Sequence, residues 1–204
     1  MDRSEASRRR LLEAATREFA DHGIAGARVD RISREARVSK NQMYAYYTSK
    51  EGLFEAVLAD VVNGVVDDVP LTTDDLPGYA VRLYDAYLER PELIRLSMWA
   101  RLECTPTGPL FPVDPAKTEA LNQAQKAGTV RADFPAVDIH ALVIALALAW
   151  SPASLTDAVD AGAPTAEHDR RRKSLAAAVR SAFTAACKVN PSPMPHFVDE
   201  AAAP

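Results

Sequence analysis

With 204 residues, 48% of them apolar, the chain is long enough to bury a core without staples, as one domain or two small ones. Its two cysteines, Cys104 and Cys187, stand far apart without CxxC spacing, which excludes a disulfide framework and predicts a reducing, cytoplasmic setting. The formal charge of -4 argues as a sum against nucleic acid, yet through Leu53 eleven basic residues face eight acidic ones, while the remainder carries thirteen against twenty: a basic head on an acidic body, which suits phosphate attraction.

In chain order, Ser7 to His22 reads as an opening helix, with Leu11, Ala15 and Phe19 on its inner stripe and Gly23 as its stop. The arginines at 8 to 10 lie in its first turns, where the helix dipole prefers acids, so they either reach phosphate or solvate the end. Val29, Ile32, Ser33 and Ala36 then fall on one face of a short helix that ends near Arg37. Ser39 is placed to accept from the amide of Gln42, with Gln42 reaching back, a capping box that opens a second short helix, Lys40 to Tyr47. Thr48 with Glu51 repeats the device for a long helix carrying Leu53, Phe54, Val57, Leu58, Val61, Val62 and Val65 inward.

Pro70 ends that helix. Helices follow over Leu76 to Glu89, Glu92 to Glu103, Ala116 to Ala127, Ile139 to Trp150 and, capped by Thr165, on to Cys187. Residues 151–164 read as a loop, and the proline-rich tail from Pro191 as disordered. The first ten residues have no apolar core, so no signal peptide is expected. The longest apolar run, Ile139 to Trp150, falls well short of the roughly 20 residues of a membrane span, so no membrane partner is expected.

Two short helices around a tight turn are the pattern of a helix-turn-helix, whose second helix enters the major groove. Here that helix offers Lys40, Asn41 and Gln42, then Tyr44, Ala45 and Tyr46. Asn and Gln pair bidentate with adenine, Lys with guanine, and tyrosine hydroxyls suit phosphates. Lys50 at the start of the next helix and Arg28 at the head of the first short one are further phosphate candidates.

The order Gly23-Ile24, Ile32-Ser33, Ala36-Arg37-Val38-Ser39, Met43-Tyr44, Tyr46-Tyr47, Ser49-Lys50-Glu51 and Leu53 resembles the N-terminal signature of the TetR-like, tetracycline-repressor-type family of bacterial transcription regulators. The likeness covers residues 7 to 58, about a quarter of the chain. It implies an all-α homodimer: an N-terminal three-helix helix-turn-helix domain over 1–53, then a helical ligand-binding and dimerisation domain over 54–190, about nine helices in total, with 191–204 as the tail. On that likeness Tyr44 and Lys50 carry over as phosphate contacts, and Gln42 and Tyr46 as neighbours of bases and backbone. Three residues depart from the pattern. Arg37 stands where glycine is usual in the turn, at a cost of roughly 1 kcal/mol if it is left-handed, unless the turn is reshaped or phosphate binding by Arg37 compensates. Ala27 replaces a capping threonine, and Tyr47 a phenylalanine, a minor change if its hydroxyl reaches solvent.

In the body, Tyr79, Tyr84, Tyr87, Met98, Trp99, Leu102 and Trp150 are candidates to line a ligand cavity, with Arg95, Arg101, Glu103 and His140 as polar handles, or else to form plain core. The all-round apolar Ile139 to Trp150 and the alanine-rich last helix suit a two-fold interface, giving a homodimer through the last two helices. The run Arg170 to Lys173 either pairs across that interface or forms a solvated face. The expected function is a repressor on a palindromic, double-stranded operator, released by a small molecule in the body, with the signal passing along the fourth helix. The alternative keeps the head but gives the body no inducer, only dimerisation or partner binding. An enzyme acting on nucleic acid lacks support: His22, His140, His168 and His196 are scattered, and neither a metal-spaced carboxylate cluster nor a Gly-rich phosphate loop occurs, so no cofactor and no metal are expected.

Overall fold

The computed structural model describes residues 3–104, 107–110 and 114–185. Among them are nine helices: α1 (Arg3–Gly26), α2 (Val29–Ala36), α3 (Lys40–Tyr47), α4 (Lys50–Asp68), α5 (Leu76–Glu89), α6 (Pro91–Glu103), α7 (Pro115–Lys126), α8 (Ala136–Ala147) and α9 (Thr165–Phe183). The fold is all-α, as the apolar periodicity requires. No helix among the described residues is long and apolar enough to cross a membrane.

Two apolar cores organise the chain. One collects Leu11, Phe19, Ile32, Met43, Leu53, Phe54 and Val57 from α1 to α4, with Phe54 edge-on to Phe19 at 5.2 Å. The other packs α5 against α8 and α9 through Tyr79, Leu83, Ile139, Val143, Leu175 and Val179. The helix α4 runs from the first core, at Val57 and Leu58, to the second, at Val65. So does α6, which gives Leu93 and Ile94 to the second core and Leu96 and Ala100 to the first.

Several boundaries differ from those expected of the sequence, each for a physical reason. Gly23 is a kink inside α1, not its stop: φ 66° and ψ -175° belong to a region only glycine enters cheaply, and one more helical turn follows to Gly26. Ser49, not Thr48, caps α4 by accepting from the Gly52 amide at 2.9 Å, while Thr48 takes φ 51° between the two helices. The helix α8 lies three residues earlier than expected, because Pro135 sets its start. Trp150 falls outside it, and its carbonyl accepts from Val159 N–H at 2.9 Å in the following loop. Thr165 is the first residue of α9, with no side-chain cap. That helix stops at Phe183 because the chain turns extended there: Arg131 N–H donates to Phe183, Ala185 N–H to Thr129, and Val130 pairs with Thr184 in an antiparallel bridge. The tail from Pro191, with Ala186 and Cys187, lies outside the described residues.

Candidate nucleic-acid interface and body cavity

Arg37 does adopt the left-handed conformation, φ 56° and ψ 44°, and the turn is regular nonetheless. Its N–H donates to Arg34 O at 3.2 Å, and Val38 N–H to Ser33 O at 3.0 Å, which closes α2 in the way glycine usually does. The turn is not reshaped, and Arg37 projects exposed from it. On the far side Ser39 Oγ accepts from the Gln42 amide at 3.1 Å. The reciprocal half of the capping box is missing: Gln42 Nε2 turns to the Tyr46 hydroxyl at 3.3 Å instead.

The start of α2 is held by a residue the sequence pattern does not single out. Glu18 on α1 is almost fully buried, accepts from Arg28 N–H at 2.8 Å, and takes the Arg31 guanidinium at 2.6 Å. It stands at the positive dipole end of α2 and ties down the residue before it, while no side chain caps the first-turn amides. Burial alone would push this carboxyl up, but the bonds from Arg31 and from the Arg28 amide outweigh it and hold the group below its usual range. A carboxylate in the middle of α1 carries no local signal of this, since Arg28 and Arg31 lie ten and thirteen residues on.

Two of the three arginines at 8 to 10 also brace the head from within the chain. Arg8 donates to the Tyr47 hydroxyl at 3.2 Å with its guanidinium 5.3 Å from the ring centre, and Arg10 donates to Ala36 O, the last carbonyl of α2, at 3.2 Å. Tyr47 is buried, so its hydroxyl meets Arg8 rather than open solvent. All three remain exposed, Arg9 pairing with Glu13 along the helix.

Around this frame Arg28, Arg37, Lys40, Asn41, Gln42 and Tyr44 are exposed on adjoining surface, Tyr44 by 45%. Lys40 pairs with Asp30 across the turn, a mutually exposed pair that is weak in water and easily exchanged for phosphate. Tyr46 is half-buried between Gln42 and Ser4. Lys50 does not point away from the head: its ammonium lies 3.4 Å from both Ala25 O and Ala27 O, across the end of α1.

The body contains a cavity of about 350 Å³ between α5, the end of α8 and the loop 151–164. Tyr84, Tyr87 and Trp150 line it together with Leu88 and Pro91. Met98, Trp99 and Leu102 do not. Met98 and Leu102 are exposed, because the second half of α6 turns its inner face, Leu96 and Ala100, to the head core. Trp99 packs against the α1 kink, donating to Ala20 O at 3.3 Å. The expected handles are likewise placed elsewhere: Arg95 pairs with Asp21, Arg101 reaches Gly108 O, and Glu103 accepts from Ala25 N–H at 2.8 Å. His140 stacks on Tyr79, and its pKa is lowered chiefly by burial and then by Lys117. The run Arg170 to Lys173 is divided: Arg170 and Lys173 are exposed, and the two residues between them are not. Arg171 is buried at 2% exposure with its guanidinium 5.7 Å from the Trp150 ring centre, paired to Asp157 and Glu167. Arg172 reaches Asp85 of its own chain.

Comparison with known proteins agrees with this geometry. Residues 11–57 match the bacterial regulatory proteins of the tetR family, and residues 75–181 match the tetracyclin repressor-like C-terminal domain. The HTH-type transcriptional repressor SCO4008 of Streptomyces coelicolor is 39% identical over 150 residues, 70% of this chain and 77% of that one. The HTH-type transcriptional repressor AcnR of Corynebacterium glutamicum is 28% identical over 151 residues, 68% of this chain and 77% of the relative. Among solved structures, the putative transcriptional regulator SCO4942 of Streptomyces coelicolor superposes with a TM-score of 0.72 at 39% identity, covering 87% of this chain and 98% of that one.

Proposed function

The chain belongs to the tetR family of bacterial regulatory proteins, and from that premise we propose that it is a repressor which holds a palindromic operator as a homodimer and releases it when a small molecule enters the body. As a member of that family it is a DNA-binding transcription factor and not an enzyme. Repression follows the names of the relatives SCO4008 and AcnR. Residues 1–53 form the DNA-binding unit, with α3 in the major groove. Asn41 and Gln42 read bases, Arg28, Arg37, Lys40, Tyr44 and Lys50 meet phosphates, and Tyr46 positions Gln42. Residues 54–190 bind the effector, against Tyr84, Tyr87 and Trp150, and dimerise. The two-fold interface uses α8, where Val137 and Leu142 remain 44% and 42% exposed, and α9, which exposes Ala177 and Ala178.

The observation that carries the release step is the course of α6. Its first residue, Pro91, lines the cavity, and its last, Glu103, accepts the Ala25 amide of the head at 2.8 Å. A ligand that moves Pro91 therefore acts on the end of α1 through one rigid helix, beside the route along α4. Footprinting of the full chain over the DNA upstream of its own gene tests the reading. Two symmetric protected half-sites about one or more helical turns apart are expected; protection of a single half-site would overturn the dimeric repressor.

A further inference from the structure

The end of α1 is tied from two opposite sides. From the body, α6 reaches it with three residues at four-residue spacing: Arg95 to Asp21 at 3.1 Å, Trp99 to Ala20 O at 3.3 Å and Glu103 to the Ala25 amide at 2.8 Å. The other Glu103 oxygen lies over the elbow, 2.5 Å from where a Cβ on Gly23 would stand. From the head, Lys50 at the start of α4 places its ammonium 3.4 Å from both Ala25 O and Ala27 O.

Ala25 thus meets Glu103 with its N–H and Lys50 with its carbonyl. Both acceptors of Lys50 are neutral, and it forms no ion pair among the described residues, so its charge and a further N–H stay open to phosphate. A lysine stem is long and mobile, and holding it in place before DNA arrives removes an ordering cost that binding would otherwise carry. The holder needs fixing in turn, since Ala25 and Gly26 are exposed and their own side chains anchor little. Arg28, three residues on, already has its amide on Glu18, which leaves Glu103 as the tie for Ala25.

We propose that Glu103, on a body helix, is the positioning residue for the phosphate contact of Lys50: it pins Ala25, whose carbonyl aims the ammonium. This rests on the reading of Lys50 as a phosphate contact, and it gives an acidic side chain a part in strengthening DNA binding. The bare charge acts in the opposite sense, because a carboxylate close to the head repels phosphate. The sign of the effect therefore tells the tie from the charge.

Two substitutions that remove the same charge test it on the full chain, titrated with a duplex carrying the sequence upstream of its own gene and with a mixed-sequence duplex of equal length. A phosphate contact acts on both duplexes. Glu103→Gln keeps an acceptor for Ala25 N–H and should bind both at least as tightly as the wild type. Glu103→Ala loses the tie and should bind both about fivefold more weakly. Glu103 and Ala25 are both exposed, so neither substitution opens the core. In the Lys50→Ala background, Glu103→Ala should cost less than about twofold further. Binding of Glu103→Ala as tight as that of Glu103→Gln, or a loss as large without Lys50 as with it, would overturn the positioning role and leave Lys50 a phosphate contact. Affinity and salt slope unchanged in Lys50→Ala would overturn the phosphate reading itself, and the positioning role with it.

Discussion

Head and body use their polar side chains in opposite ways. In the head they are tied to helix ends: Glu18 to the start of α2, Arg10 to its last carbonyl, Ser39 to the start of α3, Ser49 to the start of α4, and Lys50 to the end of α1. In the body they are tied to one another around a hollow: Tyr84 to His168 at 2.8 Å, Arg171 to Asp157 and Glu167, Arg172 to Asp85. The first arrangement fixes the angles of short helices that could not stand alone, which a base reader needs. The second surrounds space instead of filling it, which leaves room for a ligand.

The largest test of that contrast is packing. Phe54→Ala in the solid head core should cost about 3-5 kcal/mol, whereas Val159→Ala on the cavity wall should cost less than about 1 kcal/mol, because its removal only enlarges existing space; urea midpoints compare the two. Equal losses would mean that the head is no better packed than the body.

Gly23→Ala comes next. A Cβ there would lie 2.5 Å from Glu103 Oε1 and 2.8 Å from the Trp99 ring, at a backbone angle that already disfavours alanine. A loss of about 2 kcal/mol is expected, together with weaker operator binding, since the elbow joins head to α6. Lost stability with unchanged operator affinity would show that this joint does not set the head.

Arg37→Gly separates frame from contact within the head itself. Relief of the left-handed conformation should stabilise the chain by about 1 kcal/mol, while loss of the guanidinium weakens DNA binding at low salt and flattens its salt dependence. A more stable variant that binds DNA unchanged would remove Arg37 from the phosphate contacts.

The smallest effect is on pH. Because the Glu18 carboxyl is depressed in the folded chain, its contribution is fully present above the ordinary value of 4.5 and is lost as pH falls through the lower folded value. The urea midpoint of the wild type should therefore drop more steeply below about pH 4.5 than that of Glu18→Gln. Parallel curves would mean that Glu18 is not ionised in its bonds to α2.

Local chemistry makes the head legible in the sequence. Ser39 and the apolar faces of α2 and α3 act within four residues of themselves, so the spacing of Val29, Ile32 and Ala36 and the bounds Lys40–Tyr47 can be read directly. The same holds for α5, whose ends at Leu76 and Glu89 follow from the pattern to the residue. Thr48 and Ser49 are not separable in this way, because two adjacent hydroxyls fit one cap and only backbone geometry selects Ser49.

What the sequence determined by itself is the all-α class, the helix-turn-helix and the faces its helices bury, since periodicity and caps are properties of neighbours along the chain. Tertiary structure alone decided the rest. It turned Gly23 from a stop into an elbow under Trp99, brought Glu18 to the start of α2, gave the second half of α6 to the head and so took Met98, Trp99 and Leu102 from the cavity, and buried Arg171 against Trp150. Each of these depends on which helix lies opposite, a fact set by how the whole chain shares its apolar surface and not by any single stretch of it.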